Sequence, residues 1–157
     1  MKAIISGTFD PFTLGHRDLV VRALAIYGSA TVAVARQTGK NAADTATRIE
    51  IAKKSLGGLE NVSVVEFDGL LSDYVKSVGD CVIIRGLRGT RDFEYERDLD
   101  RAYKKLCGVE TVYLLSPAEL EHVTSTAVRT LAGLNAPIDG YVAAEAIGAI
   151  EKFYGNK

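Results

Sequence analysis

Five short apolar runs, each followed by a stretch with apolar residues at helical spacing, leave this chain few folds to choose from. The runs cover residues 2–6, 30–35, 62–67, 80–84 and 110–115. They are continuous rather than alternating, as expected of strands buried on both faces. Between them, helices are predicted over residues 16–27, 45–56, 70–78 and 92–106, with two more near 125–134 and 143–154. Gly28 and the pair Gly57-Gly58 stand where the first two helices should stop. Strands alternating with helices predict βαβ units. The expectation is an α/β fold, one domain over residues 1–157, with a five-stranded parallel sheet covered by helices on both faces.

In such a sheet, ligands bind outside the carboxyl ends of the strands. The polar and glycine-rich segments fall there: residues 6–15, 36–41, 85–91 and 116–126. Four segments far apart in sequence should therefore converge on one crevice. The formal net charge of -1 implies no long-range attraction to nucleic acid or to an anionic membrane. With no aromatic stacking set either, nucleic acid is not an expected partner. No apolar run approaches a membrane span, and the first is too short for a signal peptide. No membrane partner is expected, and a cytoplasmic, reducing location is. Cys81 and Cys107 form no CxxC pair, and His16 and His122 are the only histidines. Buried reduced thiols are expected there rather than a zinc site.

The first segment reads Ser6-Gly7-Thr8-Phe9-Asp10-Pro11-Phe12-Thr13-Leu14-Gly15-His16 and joins a strand to a helix. Gly7 permits close approach of backbone to a ligand. Thr8 offers a hydroxyl and a backbone N–H. Gly15 and His16 lie where free N–H groups and the helix dipole favour an anion. His16 can give phosphoryl oxygens a hydrogen bond, or a charge when protonated. Neither a GxxxxGK[ST] phosphate loop nor a GxGxxG dinucleotide fingerprint occurs. Thr13-Leu14-Gly15-His16 instead resembles the HxGH or TxGH hallmark of a nucleotidyltransferase superfamily with a Rossmann-like sheet.

The second segment reads Arg85-Gly86-Leu87-Arg88-Gly89-Thr90-Arg91 and runs into Asp92-Phe93-Glu94-Tyr95-Glu96. Three arginines at spacing three can gather around phosphate, where their planar forks bind bidentately. This string closely resembles the RGLR and DFEYE signature of the phosphopantetheine adenylyltransferase family. Val123-Thr124-Ser125-Thr126 precedes a helix; its hydroxyls can cap that helix, meet phosphate, or both. It resembles the ISSS or ISST segment of the superfamily. The likeness covers almost the whole chain, with three departures. Ile5-Ser6 replaces the usual Tyr-Pro, Tyr103-Lys104 replaces an Asn-Arg pair, and Tyr141-Val142-Ala143-Ala144 lacks a common proline.

The resemblance implies an enzyme that transfers the adenylyl group of ATP to 4′-phosphopantetheine, giving dephospho-CoA and pyrophosphate. It implies a catalytic set of His16, Thr8, Lys40, Arg88 and Ser125. ATP would meet Thr8, Phe9, His16, Gly86, Leu87, Arg88 and Glu96, and the run Leu120, Glu121, His122, Val123, Thr124, Ser125 and Thr126. The acceptor would meet Thr8, Lys40, Leu71 and Arg85. The Leu71 contact would come through its backbone, and core packing is the simpler reading of its side chain. Asp10 can orient the loop or reach metal-bound water, and Glu96 can face ATP or pair with Arg97 or Arg101. Mg²⁺ is the implied cofactor, held by substrate phosphates and water rather than by a protein cage. A homo-oligomer, specifically a hexamer, is the implied assembly. The rivals are a related enzyme with another phosphorylated acceptor and a non-catalytic nucleotide-binding module.

Overall fold

A computed structural model describes residues 1–36 and 42–155, with every side chain in those stretches except that of Arg91. Its strands are β1 (Lys2–Gly7), β2 (Ala30–Ala35), β3 (Val62–Phe67), β4 (Cys81–Leu87) and β5 (Thr111–Leu115). Its α-helices are α1 (Leu14–Tyr27), α2 (Thr45–Ser55), α3 (Leu71–Val78), α4 (Thr90–Cys107), α5 (Ser125–Gly133) and α6 (Ile147–Tyr154). The strands form one parallel sheet in the order β3-β2-β1-β4-β5. The expected five-stranded sheet is thus present, and each apolar run became a strand.

Apolar side chains leave the sheet on both faces. Ala3, Ile5, Val32, Val34 and Ile84 pack under α1, α2, α5 and α6. Ile4, Ala33 and Ile83 point the other way, onto Leu71 and Val75 of α3 and Tyr103 and Cys107 of α4. This division follows from connectivity. The chain builds outward from β1 to β3, then returns past both to start β4. Right-handed crossovers in opposite directions lay their helices on opposite faces. The order of strands therefore reverses between β1 and β4. That is where a crevice opens in sheets of this kind.

Several boundaries differ from the sequence expectation by a residue or two, and three of the differences bear on the site or the chain end. β4 runs on through Arg85, Gly86 and Leu87, which pair with Tyr113, Leu114 and Leu115 of β5. A charged residue and a glycine read as loop in isolation, whereas the neighbouring strand makes them sheet. α1 starts at Leu14 because the Thr13 side chain accepts the N–H of His16 and caps the helix. The last helix is preceded by a short 3-10 turn, Ala144–Ala146, and is regular only from Ile147. No helix among the described residues is long and apolar enough to cross a membrane.

Candidate active site

At the β1/β4 switch point lies a cavity of about 600 Å³, lined by residues of four segments. Thr8, Phe9 and Asp10 come from the turn after β1, and Gly15 and His16 from the start of α1. Arg85, Gly86, Arg88, Asp92, Tyr95 and Glu96 come from the end of β4 and the start of α4. Ser116 follows β5, and Ser125, Thr126 and Arg129 come from α5. Three of the four expected segments meet here. Lys40, in the remaining one, lies outside the described residues.

His16 is held on several sides. Its Nδ1 accepts the backbone N–H of Thr13 at 3.0 Å and lies 3.1 Å from the Thr13 hydroxyl. Its ring meets Phe9 edge-on at 5.1 Å and Phe12 at 5.2 Å. With Nδ1 an acceptor, the neutral ring carries its proton on Nε2. Burial, reinforced by the charges of Arg88 and then Arg85, lowers the imidazole pKa from 6.5 to about 3. At neutral pH His16 is therefore an uncharged N–H donor. It is not a base, because one nitrogen is engaged and the other already protonated.

Phe9 supports this arrangement at a conformational cost. Its φ is 51°, in the left-handed region that non-glycine residues rarely occupy, and the ring is nearly fully buried. Gly7 makes room for it, since a Cβ there would come within 3.0 Å of the Phe9 ring. The glycine thus admits a neighbouring side chain, and its backbone also lines the cavity.

Arg85 points from the last turn of β4 into an ion pair. Its Nε donates to Glu96 at 2.7 Å, its Nη2 to the other carboxylate oxygen at 2.5 Å, and its Nη1 to the Ser6 carbonyl at 2.9 Å. Burial alone would lower the guanidinium pKa, but the hydrogen bond and charge of Glu96 outweigh it and push it up. Glu96 therefore pairs with a residue eleven positions away, not with Arg97 or Arg101. Arg97 and Arg101 instead pair with Asp98. Two of the five Arg85 N–H groups remain unused. Arg88 forms no ion pair among the described residues, and only its backbone N–H is engaged, by Asp92.

At the start of α5 the two sequence readings separate by residue. Thr124 is the cap, accepting the Ala127 N–H at 3.0 Å. Ser125 donates its hydroxyl to the Pro11 carbonyl at 2.8 Å, tying α5 to the turn after β1. Ser125 and Thr126 line the cavity with the first free N–H groups of the helix. Val123 is fully buried, the His122 ring packs edge-on against Tyr141, and Leu120 and Glu121 belong to a separate turn. None of these four, nor Thr124, lines the cavity. Leu87 is buried and does not line it. Leu71 packs in the second core beside Ile4 and Ile83, as the simpler reading of its side chain had it.

Asp10 orients the loop. Its Oδ1 accepts the Ala43 N–H at 3.1 Å and the Tyr154 hydroxyl, and Arg129 donates to its carbonyl at 2.5 Å. Burial, then the bond to Asp10, pushes the Tyr154 phenol up. Sequence reasoning did not name Arg129. The available signal was its spacing of four from Ser125, which places both on one face of α5.

A neutral N–H donor, arginines and free helix N–H groups around one cavity, whose carboxylates are each engaged by a neighbour, define a site for moving a phosphoryl group. On this sheet they describe a nucleotidyltransferase. The comparisons agree. The model of the cytidylyltransferase-like family matches residues 4–131. The chain is 44% identical over 142 residues to a phosphopantetheine adenylyltransferase of Aromatoleum aromaticum, covering 89% of this chain and 87% of that one. It is 39% identical to one from an Azoarcus species, covering 99% and 96%. A solved Plasmodium falciparum nicotinic acid mononucleotide adenylyltransferase, complexed with NaAD, shares the fold. Its TM-score is 0.72 at 14% identity, over 98% of this chain and 96% of that one. The chain belongs to the phosphopantetheine adenylyltransferases.

Proposed function

We propose that the protein transfers the adenylyl group of ATP to 4′-phosphopantetheine, forming dephospho-CoA and releasing pyrophosphate. An oxygen of the acceptor phosphate attacks the α-phosphorus, and the bond from that phosphorus to the pyrophosphate oxygen breaks. The attacking group is already an anion, so no general base is needed. The barrier is electrostatic, and fixed donors lower it. The carrying observation is His16, a neutral N–H donor in the cavity wall beside two arginines.

Under this reading His16 and Thr8 serve the α-phosphoryl oxygens. Arg88 and Ser125 hold the β- and γ-phosphates, with Arg129 one helical turn on. Arg85, through its two unused N–H groups, and Lys40 take the acceptor phosphate. Phe9 acts by fixing His16, Glu96 by fixing Arg85, and Gly86 by letting a ligand approach the end of β4. The carboxylates lining the cavity are Asp10, Asp92 and Glu96, and each is engaged by a neighbour. That donor set fits Mg²⁺ carried by phosphate oxygens and water, where the ion would offset charge on the triphosphate. The free thiols of Cys81 and Cys107 suit the reducing cytoplasm. Exposed Ile26, Leu70, Leu106, Leu115 and Leu134 suit burial between subunits of a homo-oligomer, a hexamer in this proposal.

The test is incubation with ATP, Mg²⁺ and 4′-phosphopantetheine, following pyrophosphate release and product mass. Dephospho-CoA is expected. Pyrophosphate release with a different phosphorylated acceptor, and none with this one, would reject the assignment.

A further inference from the structure

Arg48 of α2 is the largest fully buried side chain, at 1% exposure, and it has no carboxylate partner among the described residues. Its guanidinium binds oxygen atoms of backbone and hydroxyl groups instead. Nε donates to the Ala43 carbonyl at 2.8 Å, and Nη1 to the Thr8 carbonyl at 2.6 Å. Nη2 reaches the Thr45 hydroxyl at 3.1 Å and the Arg36 carbonyl at 3.5 Å. Burying a cation without a counter-charge is expensive, and an apolar side chain would fill the space at less cost. The fold keeps the cation directly behind a residue of the cavity wall.

One of these backbone partners, Ala43, is also held on its other side. The Ala43 N–H donates to Asp10 at 3.1 Å while its carbonyl accepts from Arg48. Asp10 and Arg48 are thus linked through one buried residue, Ala43, rather than by direct contact. Together they fix the turn after β1 at two points, Thr8 and Asp10, from the α2 side. Arg88, Ser125 and Thr126 sit on β4, α4 and α5 surroundings that Arg48 does not touch.

We propose that Arg48 is a positioning residue for adenylyl transfer. It holds the Thr8 carbonyl so that the Thr8 N–H and hydroxyl meet the reacting phosphate, and it adds a positive charge behind that group. This rests on the adenylyl-transfer reading above. A guanidinium serves where an ammonium would not, because its planar fork reaches Thr8, Ala43 and Thr45 at once.

The test compares Arg48→Met, which keeps the stem but removes charge and donors, with Arg48→Lys. Displacement of a reacting group by about 1 Å can cost about 100-fold in rate. Arg48→Met should lower kcat per folded molecule by about that factor, while the Kd for ATP stays within about threefold. Arg48→Lys should recover no more than about a tenth of the wild-type kcat. A purely structural arginine would lower the melting temperature and the folded fraction but leave kcat per folded molecule unchanged. That result would overturn the proposal, as would equal loss of ATP binding and turnover. If Arg48→Met does not fold, Arg48→Lys decides on the same two readings. Wild-type protein without transferase activity would remove the functional reading and this proposal together. Normal wild-type activity with unaffected variants would remove the proposal alone.

Discussion

If His16 is neutral because the fold suppresses its protonation, the protein must lose stability in acid by an amount traceable to this one ring. In the unfolded chain His16 titrates near 6.5, and in the fold near 3. Between those values the unfolded state binds one proton more, so stability falls as pH falls. The contribution is fully present above pH 6.5 and is lost progressively toward pH 3. Between pH 7 and pH 5 one such group takes away at most about 2 kcal/mol. The ring faces a cavity that water can enter, which trims this to between about 1 and 2 kcal/mol. For a domain of this size that lowers the melting temperature by roughly 2–8 °C. The assay is thermal unfolding of wild type and His16→Ala at pH 7 and pH 5. Loss of the ring costs stability at both values, but the difference between the two pH values isolates its titration. All other groups contribute equally to both proteins. The variant should lose several degrees less than wild type on acidification. Identical losses would refute the reasoning and return His16 to an ordinary, exchangeable proton.

Other consequences are read in turnover. His16→Ala should lower kcat by about 100- to 1,000-fold, the usual cost of one donor at developing charge, while ATP binding measured by calorimetry survives. Arg85→Ala should raise the KM for the acceptor far more than that for ATP in initial-rate assays, and equal effects would contradict its assignment. Gly7→Ala would put a methyl 3.0 Å from the buried Phe9 ring. It should cost about 1–3 kcal/mol in urea unfolding and lower kcat as Phe9 shifts from His16.

The sheet was legible because burial on both faces forces continuous apolar runs, as in Ala3-Ile4-Ile5 and Val82-Ile83-Ile84. Helices were legible to within a few residues, helped by stops at positive-φ glycines such as Gly28 and Gly108. What escaped was anything decided by a partner remote in sequence. Arg85 read as loop because β5, which makes it strand, supplies the hydrogen bonds. Glu96 seemed equally free to pair with neighbours on its own helix, and only the fold brings Arg85 to it. In the segment from Leu120 to Thr126, sequence alone could not divide capping from ligand contact. Thr124 takes the cap, and Ser125 and Thr126 take the cavity. Nothing in the sequence assigned Arg48 a role. A lone arginine on an amphipathic helix resembles a solvated charge until three carbonyls and a hydroxyl close around it.

The most direct measurement of the central claim follows the α-phosphorus. ATP labelled there is incubated with 4′-phosphopantetheine and Mg²⁺, and the products are separated. All transferred label should appear in dephospho-CoA and none in pyrophosphate, with the yield collapsing in His16→Ala. Label left in ATP or released as free AMP, with the acceptor unchanged, would contradict the account.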